Sequence, residues 1–182
     1  MSYKWWLFLA VFLFGIGMIW GLVIPIDVPG LLAEDIGALD ELANFLSPFP
    51  QIVVFIFIFL KNVTAILISF ILSPLFCLVP IMALIINGGV LGLISTSVVQ
   101  QESIGYLLAG LLPHGVLELP AFIMGEAVAL SFGTAVTLAI FKSERRSLVL
   151  PGLKRNLRYL VMALILLLPA AIIETYITPL LL

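Results

Sequence analysis

A histidine and a glutamate four residues apart are the side chains best suited to do chemistry in this chain. His114 and Glu118 occur in the segment LPHGVLELP, residues 112–120, at the entry to an apolar stretch. Residues four apart lie on the same face of a helix, so the two side chains can act on one ligand. Ionisable groups are costly in hydrocarbon, and in a membrane helix they usually face a bundle interior, a polar cavity or a partner.

A second pair with the same spacing, Glu174 and Thr178, lies in the last apolar stretch. Counting about 1.5 Å per residue from the predicted helix ends places Glu174 at the depth of His114 and Glu118. One imidazole and two carboxylates can coordinate a divalent metal ion or relay protons, so His114, Glu118 and Glu174 are the candidate metal ligands. The alternative for His114 and Glu118 is a helix N-terminus after Pro113, where both groups reach interfacial water.

Four further polar residues, Lys61, Asn62, Asn87 and Glu126, are expected near the middle of the predicted helices, which gives a second polar layer. The alternative for Lys61 and Glu126 is a buried ion pair that orients two helices. For Asn87, within INGGVLG (86–92), the alternative is helix packing. In that case the glycines allow two helices to approach closely, and the Asn87 side-chain amide forms a hydrogen bond across the interface.

Composition identifies the class of protein that must position these residues. Of 182 residues, 63% are hydrophobic, and the mean hydropathy is +1.31. A soluble domain is roughly half apolar, so the chain is predicted to be an integral membrane protein surrounded by membrane lipids. Cys77 is the only cysteine, which excludes an intrachain disulfide. The few basic residues form no broad basic face, so no nucleic-acid partner is expected.

Residues 1–182 are predicted to form a single all-α transmembrane domain, a polytopic helical membrane bundle. A bilayer core requires about 20 apolar residues per helix. Five segments meet that requirement: 4–25, 51–72, 74–99, 114–141 and 157–179. The apolar segment 103–113 is too short to span the bilayer and ends at Pro113, so a re-entrant segment is predicted there.

The loops predict the orientation in the membrane. The 26–50 loop contains five acidic and no basic residues, whereas most basic residues of the chain fall in or just after 142–156. By the positive-inside rule the basic loop and the N-terminus are cytoplasmic, and the acidic loop and the C-terminus are extracytoplasmic. Apolar residues at helical spacing within 26–50 predict an amphipathic extracytoplasmic helix.

Three segments together resemble the stage II sporulation protein M family: INGGVLG (86–92), LPHGVLELPAFIMGEAVAL (112–130) and AAIIETYITP (170–179). The resemblance covers essentially the whole chain, and its most distinctive element is HGxxE at 114–118. Transferred by position, the polar residues typical of the family fall on Asn87, His114, Glu118 and Glu174, followed by Thr178 and Pro179. Lys61 and Glu126 are not part of this pattern.

The resemblance implies a membrane protein without an established catalytic activity. The namesake of the family works with peptidoglycan-degrading partners during engulfment in spore-forming bacteria, and it anchors them at the membrane. The first functional hypothesis is therefore a non-enzymatic scaffold that positions cell-envelope remodelling proteins, with an extracytoplasmic protein partner.

Two other hypotheses follow from the polar residues themselves. One is a small transporter or ion-binding protein that uses the buried His, Glu and Asn side chains, as a homodimer formed through glycine-rich helix faces. The other is an intramembrane metal-dependent hydrolase, in which His114, Glu118 and Glu174 hold a metal ion that activates water.

Overall fold

Five long α-helices make up most of the protein. The computed structural model describes residues 2–24 and 48–181, and these residues contain helices and no strand. The helices are α1 (Tyr3–Val23), α2 (Gln51–Leu72), α3 (Leu78–Gln101), α4 (Ile104–Phe141) and α5 (Arg146–Tyr176), with short 3₁₀ turns at Ser143–Arg145 and Thr178–Leu180. All five are long and apolar enough to cross a membrane. This confirms the predicted all-α polytopic bundle. Most of the 26–50 loop, including its predicted amphipathic helix, lies outside the described residues.

A tight turn separates α2 from α3. In the turn, Phe76 and Cys77 adopt left-handed backbone conformations with φ of 54° and 58°. At the end of α2, the Phe70 carbonyl accepts hydrogen bonds from both the Ser73 amide, at 3.3 Å, and the Ser73 hydroxyl, at 2.7 Å. The third span therefore begins at Leu78, four residues later than the predicted start at 74.

Helix α4 is the centre of the bundle and contacts each of the other four helices. Four consecutive residues on it, 127–130, are fully buried. The helix is continuous from Ile104 through Pro113 and Pro120, and it starts where the Ser103 hydroxyl accepts a hydrogen bond from the Tyr106 amide. The predicted re-entrant segment at 103–113 is therefore wrong. Proline is tolerated inside membrane helices because neighbouring groups and local adjustments satisfy the freed carbonyls.

Helix α5 also starts earlier than predicted. Arg146 is its first residue, whereas the fifth span was expected to begin at 157. Most of the basic 142–156 segment is consequently helical and not a loop. Pro151 lies five residues after the helix start and does not interrupt it.

Helices α1 and α3 pack together through glycines. A Cβ atom added at Gly17 would lie 2.1 Å from the Ile85 carbonyl oxygen, and one at Gly21 would lie 2.1 Å from the Gly89 oxygen. Glycine allows this approach because it has no side chain. The glycine faces that suggested a homodimer are thus used within one chain.

Helices α2 and α3 make few contacts with each other although a short turn joins them. Helix α2 packs mainly on α4 and α5, whereas α3 packs mainly on α1. The two helices therefore leave space between them, and this space contains the candidate site.

Candidate functional site: a polar cavity within the bundle

A cavity of about 280 Å³ is lined by residues from all five helices. This volume is close to the lower end of the roughly 300–1,000 Å³ found for ligand pockets. Most of the wall is apolar. The polar and charged residues of the wall are Lys61, Asn62, Asn87, His114, Glu118 and Glu174. Six of the eight predicted polar site residues thus line one cavity.

The three candidate metal ligands converge in this cavity. One ligand atom from each of His114, Glu118 and Glu174 lies within 4.8 Å of the other two. The His114 Nε2 to Glu118 Oε2 distance is 3.9 Å. Ligand atoms at the usual 2.0–2.2 Å from a tetrahedral ion are about 3.3–3.6 Å apart, so these atoms would have to move closer by about 1 Å to share an ion.

The hydrogen bonds of His114 orient its ring for such a role. Its Nδ1 lies 3.3 Å from the Thr178 hydroxyl oxygen, and that hydroxyl donates to the Ile173 carbonyl at 3.3 Å. Since the hydroxyl proton is already used, we assign the ring proton to Nδ1, which donates to Thr178. Nε2, which lies 3.9 Å from Glu118 Oε2, then carries the lone pair. Histidine ligands of metals are typically held by a hydrogen bond of this kind.

Glu118 is oriented from a different helix. The Asn62 amide on α2 donates a hydrogen bond of 2.9 Å to Glu118 Oε1. This leaves Oε2, the oxygen nearer to His114, available for a ligand. Asn62 and Thr178 therefore position the two residues of the HGxxE element from opposite sides.

Lys61 and Asn87 lie at the edge of the cavity and are exposed. Within the described part of the chain, the Lys61 ammonium has no carboxylate within 4.0 Å. The Asn87 amide donates to the Ala83 carbonyl of its own helix at 2.7 Å. Among the residues that the structure describes, Asn87 thus forms no hydrogen bond across a helix interface, while the neighbouring glycines do pack against α1.

Glu126 is separate from the cavity and fully buried. The Ser69 hydroxyl donates a hydrogen bond of 2.5 Å to its Oε2, and Oε1 has no protein partner among the described residues. The alternative of a Lys61–Glu126 ion pair is therefore wrong.

The predicted arrangement of two polar layers is also wrong, because Lys61, Asn62 and Asn87 share one cavity with His114. The error came from the start of α4. The helix begins ten residues before His114, which places this residue about 15 Å along the helix and not at its end.

Two buried polar groups were missed from the sequence. The Asn156 amide on α5 donates to the Ser131 hydroxyl at 2.7 Å, and Ser69 contacts Glu126. A signal for Asn156 was available, since it lies in helical register with the buried Leu160, Ala163 and Leu167. The assignment of 142–156 to a loop concealed this register.

The comparisons with known proteins identify a family for the chain. The family model described as stage II sporulation protein M matches residues 9–179. The uncharacterized protein MJ0793 of Methanocaldococcus jannaschii is 27% identical over 172 residues, which cover 94% of this chain and 92% of that protein. No solved structure matches the chain. With a match that runs from α1 to the last turn, and with five apolar helices, this multi-pass membrane protein belongs to the stage II sporulation protein M family.

Proposed function

We propose that the protein binds a divalent cation inside its helical bundle, with His114, Glu118 and Glu174 as ligands. The observation that carries the proposal is the convergence of one imidazole and two carboxylates within 4.8 Å. Two hydrogen bonds support it, one from Asn62 to Glu118 and one from His114 to Thr178, because they hold these two ligands in place before a cation binds. Imidazole with carboxylates suits Mn²⁺, Fe²⁺ and Zn²⁺.

Titration calorimetry of the purified chain in detergent tests this function. We expect saturable binding of Mn²⁺ or Zn²⁺, with affinity reduced at least tenfold by Glu174→Gln and by Glu118→Gln. Glu126→Gln is the matched control, since it also removes a carboxylate from α4 but lies outside the cavity. Absence of saturable binding, or an equal loss with Glu126→Gln, would exclude the proposal.

Cation binding could be one step of transport across the membrane, which can be tested in proteoliposomes. If cation binding is a step in transport, Mn²⁺ uptake into proteoliposomes should exceed that of protein-free vesicles and should be lost with Glu118→Gln. Binding without uptake would restrict the role to a structural or regulatory cation.

A membrane scaffold that positions cell-envelope remodelling proteins is the second candidate function. Family membership supports it. We expect an extracytoplasmic partner in this case, and the acidic sequence of residues 26–50 is the segment that we propose it contacts. Crosslinking in native membranes before purification should recover a stoichiometric partner, whereas recovery of this chain alone would argue for a homodimer or for no partner.

The proposed orientation has the N-terminus in the cytoplasm and the C-terminus outside. The clustering of basic residues between Lys142 and Arg158 supports it. In this orientation the short turn between α3 and α4 faces outward, and the turn between α2 and α3 faces the cytoplasm.

A further inference from the structure

The polar cavity has an edge between α2 and α3, at the middle of both helices. Its edge between α2 and α3 contains the exposed residues Lys61 and Asn87. The residues beside them, Leu60 and Ile86, are 53% and 52% exposed. In a bilayer, exposed apolar side chains in the middle of spanning helices contact hydrocarbon. A ligand that enters between α2 and α3 must therefore come from the membrane.

The charges of the cavity identify the chemistry of that ligand. As metal ligands, Glu118 and Glu174 would be ionised and His114 would be neutral, which sets two negative charges against the one positive charge of Lys61. A divalent cation would therefore leave the cavity with one excess positive charge. Net charge is costly in a low-dielectric interior. A ligand with one negative charge, such as a phosphodiester, restores neutrality and can contact both the cation and the Lys61 ammonium.

An adjoining apolar cavity provides space for a hydrocarbon chain. It has a volume of about 200 Å³ and lies between α3 and the first turns of α4. Leu91, Ile94, Leu111 and His114 belong to the walls of both cavities. A molecule with a charged head in the first cavity can thus place apolar atoms in the second.

We propose that the cavity binds the phosphodiester headgroup of an anionic lipid, bridged by the cation and contacted by Lys61. This inference rests on the proposed cation site and names its second ligand. Lys61 is the anchoring residue because its ammonium has no carboxylate within 4.0 Å among the described residues and lies on the lipid-facing edge. Asn87 provides an amide at the same edge.

The test uses purified full-length chain loaded with Mn²⁺ in detergent and titrated with phosphatidylglycerol. Because Mn²⁺ is paramagnetic, a phosphate that it ligates shows strongly enhanced ³¹P relaxation. We expect this enhancement with phosphatidylglycerol. Diacylglycerol, which lacks phosphate, should not compete with it, and inorganic phosphate should compete only at concentrations at least a hundredfold higher.

Lys61→Met separates the lipid site from the cation site. This variant should weaken phosphatidylglycerol binding at least tenfold while Mn²⁺ still binds with equal or higher affinity, since a repelling charge is lost. Lys4→Met, near the start of α1 and outside the cavity, is the control and should change neither affinity.

The outcomes distinguish the two proposals. Failure of Mn²⁺ to bind overturns this inference, and failure of both Mn²⁺ and Zn²⁺ to bind removes the cation site as well. Normal Mn²⁺ binding without ³¹P relaxation enhancement, or with lipid affinity unchanged in Lys61→Met, overturns only the lipid proposal. Equal affinity for inorganic phosphate would show that a soluble anion is the ligand and would overturn the lipid as its source.

Discussion

At the scale of single residues, the candidate site depends on side chains that orient the ligands as much as on the ligands themselves. His114 is held by Thr178, and Glu118 is held by Asn62. Each of these bonds joins residues more than fifty positions apart in the chain. These hydrogen bonds restrict the side chains before a cation binds, so less conformational entropy is lost on binding.

Thr178→Val removes the acceptor of the His114 Nδ1 proton with little change in volume. We expect Mn²⁺ affinity to fall about tenfold, the lower end of the effect seen for partners of metal ligands. Titration calorimetry measures it. Thr96→Val, which removes a hydroxyl bonded only to its own helix at Gly92, is the control and should bind normally. Unchanged affinity in Thr178→Val would contradict the orienting role.

Ser69→Ala tests the second buried polar group. The serine hydroxyl is the hydrogen-bond partner of Glu126 in the described residues, and both residues are buried. Loss of a partner for a buried polar group costs about 1–3 kcal/mol, so we expect the free energy of unfolding to fall by that amount. Reversible unfolding in mixed micelles measures it. The exposed Ser147→Ala should have no measurable effect, and an equal effect of both changes would refute the prediction.

At the scale of helices, the α1–α3 contact explains how a small chain can form a cavity. The two helices approach so closely that their glycines face backbone atoms. Helix α2, in contrast, stays apart from α3 and packs on α4 and α5. Helix α3 thus belongs to both the tight pair with α1 and the loose pair with α2, and the cavity includes the space left between α2 and α3.

Gly21→Ala should destabilise the bundle because its methyl group would lie 2.1 Å from the Gly89 carbonyl oxygen. We expect a loss of about 1–3 kcal/mol, the usual cost of overpacking. Gly15→Ala on the same helix is the control, since no atom lies within 4 Å of its added Cβ. That change should be neutral or slightly stabilising because alanine favours helix. Thermal unfolding in detergent measures the stability of both variants, and equal stability would contradict the prediction.

At the scale of the whole molecule, the open question is which end of the bundle faces the cytoplasm. The positions Glu102 and Ser143 lie at opposite ends of α4 and are exposed, so cysteines placed there report on both sides. Cys77 is buried and should not compete for labelling.

A membrane-impermeant maleimide should label Glu102→Cys in intact cells and should label Ser143→Cys only after lysis. The expectation follows from the basic residues near Ser143, which favour the cytoplasmic side. Labelling of the native chain, in which Cys77 is the only cysteine, sets the background. The reverse pattern would invert the proposed orientation.

Much of this architecture was predictable from local sequence. Apolar run length identified five spans because a bilayer requires about 20 residues per helix, and the 51–72 span coincides with α2. Helix starts were less predictable. Pro113 looked like a boundary and residues 142–156 looked like a loop, but a membrane helix continues through proline when its neighbours support it.

The sequence by itself determined that the chain enters the membrane and which residues could bind a ligand there, since both follow from residue type and spacing. Only the tertiary structure decided that Lys61, Asn62 and Asn87 join His114, Glu118 and Glu174 in one cavity while Glu126 pairs with Ser69. The reason is that helix rotation and the space between α2 and α3 depend on how all five helices pack. Side-chain packing between distant segments leaves no trace in the spacing of any one segment.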